Sequence, residues 1–116
     1  MEARALKKYI RSSPRKMRLV IDLIRGKRAD EALSILRFQP KHAAKDAEMV
    51  LRSAISNLNN KVLEEGGSYN EDEIFVKNAM VDQGPTMKRI QPAPMGRAYR
   101  VRKRSNHLTI VVATQD

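Results

Sequence analysis

Residues 84–106 read GPTMKRIQPAPMGRAYRVRKRSN. The stretch carries Lys88, Arg89, Arg97, Arg100, Arg102, Lys103 and Arg104, and neither Asp nor Glu. Two apolar runs flank it, residues 74–81 (IFVKNAMV) and 108–113 (LTIVVA), rich in the β-branched residues that favour strands. Reflection about a point near Ala93 relates them, since Ile74 stands as far before it as Val112 stands after it. That symmetry predicts one long protruding β-hairpin, its extended part over residues 83–106 and its tip near Pro92, Ala93 and Pro94. Core-type residues occupy only the hairpin's base. At about 3.3 Å per residue, an arm from Asp82 to the tip would reach about 30 Å beyond that base. A basic finger with so little apolar surface cannot offset its own ordering entropy. It looks built to be ordered by a polyanion.

The 116 residues are enough for one domain, 1–116, with a modest core. Aromatic residues make up 4% of the chain, so base stacking is not expected as the main recognition mode. No apolar run approaches the roughly 20 residues of a membrane span. The opening MEARALKKYIRSS lacks an apolar signal core, and a cytoplasmic protein is expected. The absence of Cys removes disulfides, thiolate zinc sites and cysteine nucleophiles together.

The net charge of +10 is segregated along the chain. Residues 1–28 hold ten Lys/Arg against Glu2 and Asp22, a net of +8. Residues 29–83 have a net of −4, and residues 84–116 a net of +6. Charge placed only for solubility would be more mixed, so a nucleic-acid face built from both chain ends is expected.

Residues 3–10 (ARALKKYI) read as a short strand that adds a third member to the hairpin base, because an isolated hairpin is marginal. Ser13 followed by Pro14 reads as a helix start, with Met17, Val20, Ile21 and Ile24 at helical spacing and Gly26 at its end. Arg15, Lys16 and Arg18 open this helix at the positive end of its dipole, where cations are mildly unfavourable. A phosphate docked on the free N–H groups would reverse that cost. Ser13, Arg15, Lys16 and Arg18 are therefore expected as a phosphate clamp, the alternative being tolerated surface charge. A second helix is predicted over about residues 29–38 and a third over about 41–63. The third carries an apolar stripe of Ala43, Ala47, Val50, Leu51, Ala54, Ile55, Leu58 and Val62. Residues 68–73 form an acidic loop expected to face away from nucleic acid. In the first hairpin strand both alternating sets carry apolar residues, and the buried face stays open. Met17, Met49 and Met80 are expected on or beside core faces.

No catalytic constellation emerges. His42 and His107 lie at a helix start and in the basic return arm, and no Ser has a G-x-S-x-G setting. The glycines have neither Walker nor dinucleotide-binding spacing. Neighbouring carboxylates Glu71, Asp72 and Glu73 point apart, and nothing else converges on them. No metal or cofactor is expected.

Several motifs together resemble one family. They are SPRKMRLV at 13–20, IRGK at 24–27, EALSIL at 31–36, VDQGPTMKRI at 81–90, GRA at 96–98 and KRSNHLTIVV at 103–112. They resemble the ribosomal protein L twenty-two family of the large subunit, in its bacterial form, over essentially the whole chain. The resemblance implies an α+β fold, with three helices packed on a small three-stranded antiparallel sheet and a long protruding β-hairpin. It further implies a cytoplasmic, ribosome-bound structural protein that supports assembly. Its partners would be large-subunit ribosomal RNA, neighbouring ribosomal proteins including the other tunnel-constriction protein L four, and the nascent polypeptide. Met87, Lys88, Arg89, Ile90, Gln91, Pro92, Ala93, Pro94 and Met95 would be the tip that lines the polypeptide exit tunnel. Where the family has basic residues beside the tip prolines, this chain has Ala93 and Met95, which makes the tip less cationic and more apolar.

The resulting expectation is a non-enzymatic RNA binder. Arg4, Lys7, Lys8, Arg11, Ser13, Arg15, Lys16, Arg18, Arg25, Lys27 and Arg28 would grip phosphates around the body. Lys88, Arg89, Arg97, Arg100, Arg102, Lys103, Arg104 and His107 would do so along the finger. A free-standing nucleic-acid regulator would need a recognition helix or stacking aromatics. An RNA-processing enzyme would need an acid–base pair or a metal cluster. Neither set of residues is visible.

Overall fold

The computed structural model describes residues 1–66, 73–92, 94–96 and 98–114, except for the side chains of 91, 94 and 99–101. Residues 68–72 of the acidic loop, Ala93 and Arg97 lie outside the described residues, as do the side chains of Gln91, Pro94 and Arg100. In chain order the elements are β1 (Glu2–Ile10), α1 (Pro14–Ile21), α2 (Ala29–Phe38), α3 (Ala43–Glu64), β2 (Ile74–Gln83), β3 (Met87–Pro92), β4 (Ala98–Lys103) and β5 (Asn106–Thr114). Strands β1, β5 and β2 form one antiparallel sheet with β5 central, and β3 pairs with β4 in a second ladder. The molecule measures 67 × 25 × 15 Å. This is an α+β fold.

Three helices cover one face of the larger sheet. From α3, Ala47, Leu51, Ala54 and Leu58 are fully buried, and its small alanines allow close packing on β1, β5 and α2. Leu108, Ile110 and Val112 of β5 meet them, together with Met17, Val20 and Ile21 of α1. Full burial of each large aliphatic side chain contributes about 1.5–3 kcal/mol. α1 stops at Ile21, short of Gly26, and the chain continues through tighter i→i+3 bonds that keep Ile24 buried. Gly26 then turns with a φ of 81°, a region open to glycine.

A bulge settles the buried face of β2. The register shifts between Val76 and Asn78, so Ile74 and Val76 point inward before it, and Ala79 and Val81 after it. One extra residue therefore moves the apolar set from one alternation to the other without leaving the core. Met80 falls on the opposite face and is exposed, as is Met49 on α3; of the three methionines expected near the core, only Met17 is buried.

Both edges of the sheet are occupied. On β1, Asn57 and Lys61 of α3 donate to the carbonyls of Arg4 and Glu2 at 2.9 and 3.0 Å. Along β2, Gly26 N–H donates to the Val76 carbonyl, and Val76 N–H to that of Lys27. Arg25 and Arg18 donate to the carbonyls of Ala79 and Val81 at 2.8 and 3.0 Å. Unpaired strand groups that would template aggregation are thereby satisfied.

The ladder symmetry drifts by one residue at this bulge and by another between Gln83–Asn106 and Met87–Lys103. Pro92 consequently pairs with Ala98, and a 3-10 turn of Pro94–Gly96 lies between them. The turn is centred on Met95, two residues beyond the reflection point expected from the flanking runs.

Candidate nucleic-acid interface

A cleft of about 1000 Å³ opens where the β3–β4 ladder leaves the body. Its wall takes Tyr9, Arg11, Ser13 and Lys16 from the N-terminal segment. Pro85, Met87, Arg89, Arg102, Lys103, Arg104 and Ser105 supply the other side. Six cations line the cleft, and among the described residues no carboxylate does. The two basic segments that are remote in sequence thus share one cavity. Uncompensated cations in a concavity raise the local anion concentration.

Five hydrogen bonds build the junction. Gly84 N–H donates to the Ser105 carbonyl at 3.0 Å, and the Ser105 hydroxyl to the Pro85 carbonyl at 2.7 Å. A Cβ on Gly84 would meet the Ser105 hydroxyl at 2.6 Å and its carbonyl carbon at 3.3 Å, so close approach dictates the glycine. Buried Asn106 donates to the carbonyl and hydroxyl of Ser12, fixing the chain that leads into α1. His107 Nδ1 accepts from the Tyr9 N–H at 3.0 Å.

The expected phosphate clamp divides. Ser13 caps α1 by accepting from the Lys16 N–H at 3.3 Å, and both residues line the cleft. Arg15 is exposed on α1. Arg18 is turned to the Val81 carbonyl, and Arg25 to Asp22 and the Ala79 carbonyl, so both brace β2. Lys7 is paired with Asp46 at 2.8 Å and ties β1 to α3. Arg4, Lys8, Lys27, Arg28 and Lys88 are exposed outside the cleft lining. Arg28 stands 4.0 Å from Asp30. His107 is engaged with Tyr9, and His42 is exposed at the start of α3.

Sequence reasoning passed over Tyr9 and Asn106. Asn106 carried a weak signal: an amide at the boundary between the basic arm and an apolar strand. Tyr9 carried none beyond its position beside Lys8.

Among the described residues no group of three His, Cys, Asp or Glu side chains could hold a metal ion. No helix among them is long and apolar enough to cross a membrane. Fold and cleft together define a class, that of small basic α+β proteins with a cation-lined concavity at the root of a two-stranded ladder. More narrowly, residues 5–113 match the family model described as Ribosomal protein L22p/L17e, and the chain belongs to that family. The family is one of structural proteins, not enzymes. A Large ribosomal subunit protein uL22 from Thermoanaerobacter sp. (strain X514) is 53% identical over 116 residues, covering 100% of both chains. The protein of that name from Chlorobaculum tepidum is 52% identical over 112 residues, 97% of this chain and 92% of the relative. That of Pelotomaculum thermopropionicum is 50% identical over 113 residues, with 97% and 96% covered.

Proposed function

We propose that this protein is a structural constituent of the large ribosomal subunit and grips large-subunit ribosomal RNA through the cleft at the root of its arm. The observation that carries this reading is the cleft lining of six cations drawn from two remote segments, with no carboxylate among the described residues. A merely solvated surface has no reason to gather cations in a concavity. The relatives' shared name, Large ribosomal subunit protein uL22, supports the placement in the subunit.

On this reading residues 1–116 act as one domain, with 83–106 as its arm. Arg11, Ser13, Lys16, Arg89, Arg102, Lys103 and Arg104 contact RNA in the cleft. Arg4, Lys8, Arg15, Lys27, Arg28 and Lys88 add phosphate contacts outside it, and Arg97 and Arg100 join them along the arm. The arm's tip, around Met95, lines the polypeptide exit tunnel beside the other tunnel-constriction protein and meets the nascent chain. The protein works in cytoplasmic ribosomes and supports their assembly.

Binding of the full chain to a large-subunit RNA fragment, measured by anisotropy across a salt series, tests the grip. Six neutralised phosphates lower affinity by about three orders of magnitude between ~50 and ~200 mM salt. Replacing Lys16, Arg102 and Arg104 with Gln should flatten the slope. A salt-independent wild-type titration would overturn the reading, as would failure to co-sediment with large subunits in high salt.

A further inference from the structure

Phosphate contact explains the cations of the cleft but not the aromatic residue in its wall. Tyr9 is 65% exposed there and has a φ of 58°, in the left-handed region that a bulky side chain rarely adopts. Among the described non-glycine residues only Met95 shares that conformation. The cause is a bulge in β1, which places residues 8 and 9 between the Lys7–Leu108 and Ile10–Asn106 pairs. A bulge re-aims a side chain, and strained backbone of this kind gathers at functional sites.

His107 holds the result in place twice. Its Nδ1 accepts from the Tyr9 N–H at 3.0 Å, and its ring meets the phenol ring edge-on, with centroids 5.0 Å apart and planes at 88°. An edge-on contact occupies at most one face of the phenol ring. The residue keeps 65% of its surface exposed, in the wall of a cavity lined by cations.

We propose that Tyr9 is a stacking platform for an unpaired RNA base whose flanking phosphates the cleft grips. The proposal rests on the RNA-binding reading and adds the class of RNA structure that the cleft selects. Base faces are hidden inside an A-form helix, so an open aromatic face can take only a base that has left the stack. A cationic groove with an aromatic platform is the general construction for holding unpaired nucleotides. The cleft is therefore fitted to a bulge, loop or strand junction and not to a regular duplex. With one such ring in the wall among the described residues, a single base is held there.

The test uses the full chain and three RNAs: a blunt duplex, the same duplex with a three-adenosine bulge, and that bulged duplex with abasic sites replacing the adenosines. Wild type should prefer the bulged RNA and lose the preference on the abasic one. Tyr9→Asn, which tolerates the left-handed backbone, should bind the bulged RNA roughly 5- to 150-fold more weakly and the blunt duplex unchanged. Tyr9→Phe should behave as wild type. Equal wild-type affinity for bulged and abasic RNA overturns the stacking proposal and needs no variant that must fold. Equal losses by Tyr9→Asn on bulged and blunt RNA overturn it too, while salt-dependent wild-type binding keeps the cleft reading intact. Absence of salt-dependent binding to any of the three overturns both.

Discussion

Asn106 and Ser12 are joined through one buried side-chain amide, whose Nδ2 donates to the Ser12 carbonyl at 2.9 Å and to the Ser12 hydroxyl at 2.7 Å. Asn106 has no exposed surface, and it stands where β5 emerges from the basic return arm. The pair links the start of α1 to the root of the arm, and so joins the two walls of the cleft. Asn106→Ala should destabilise the fold by about 1–2 kcal/mol in denaturant melting, since the half-buried Ser12 carbonyl and hydroxyl lose their donor. Asn106→Asp should be worse, because a carboxylate would face the Ser12 carbonyl. Unchanged stability in both variants would show that water replaces the amide.

The braces on β2 lead to a second expectation. Arg18→Gln and Arg25→Gln should each lower stability by about 1 kcal/mol, a value reduced for the partial exposure of these side chains. Arg15→Gln and Lys16→Gln should leave melting within about 0.5 kcal/mol of wild type, or raise it slightly by removing cations from the positive end of α1. Salt-dependent RNA affinity should follow the reverse order, with Lys16 mattering more than Arg18. If all four variants melt alike, the β2 braces are not structural.

How far these features can be read from the residues varies with the physics behind them. The apolar stripe of α3, the Ser13–Pro14 start of α1 and the three-stranded base follow from periodicity and turn chemistry, and all of them form. The buried face of β2 stays ambiguous on strict alternation. The three-residue step from Val76 to Ala79 encodes the bulge, and reading it would have resolved the ambiguity. Arg18 and Arg25 look like any other cation in the sequence. Their engagement with the Val81 and Ala79 carbonyls depends on which strand lies at the sheet edge, a tertiary fact. Of the cleft, the charge is legible but the meeting of its two walls is not. That meeting depends on Asn106 and Gly84, whose roles appear only once the strands are paired.

Acid should weaken one specific contact. The exposed Glu2 carboxylate accepts a hydrogen bond from Lys77, which with the Lys77 charge holds its pKa below the ordinary carboxylate value. A carboxylate with a lowered folded-state pKa contributes stability above its unfolded pKa, and that contribution is lost as pH falls through the folded value. Glu2→Gln should therefore lower the thermal midpoint at about pH 7, and the difference from wild type should vanish by about pH 2. High salt should shrink the neutral-pH difference as well. A difference that widens on acidification would show that Glu2 stabilises the fold in some way other than through its charge.

A substitution at Met95, in the turn between β3 and β4, should separate the arm from the body energetically. It is 96% exposed, and its φ of 65° and ψ of 30° place an L side chain in the left-handed region. That conformation costs roughly 1 kcal/mol, and Asn adopts it more readily without adding the unfolded-state freedom of glycine. The described side chains of β3 are exposed, so this ladder can open while the helical core stays intact. Met95→Asn should therefore slow hydrogen exchange at Lys88, Ile90 and Arg102 by about two- to fivefold. The melting midpoint of the body should not move, because the Leu51, Leu58 and Ile110 core takes no part in that opening. If the midpoint rises by the full amount, the arm unfolds together with the body. If exchange at these amides is unchanged, the turn at Met95 does not limit the opening of the ladder.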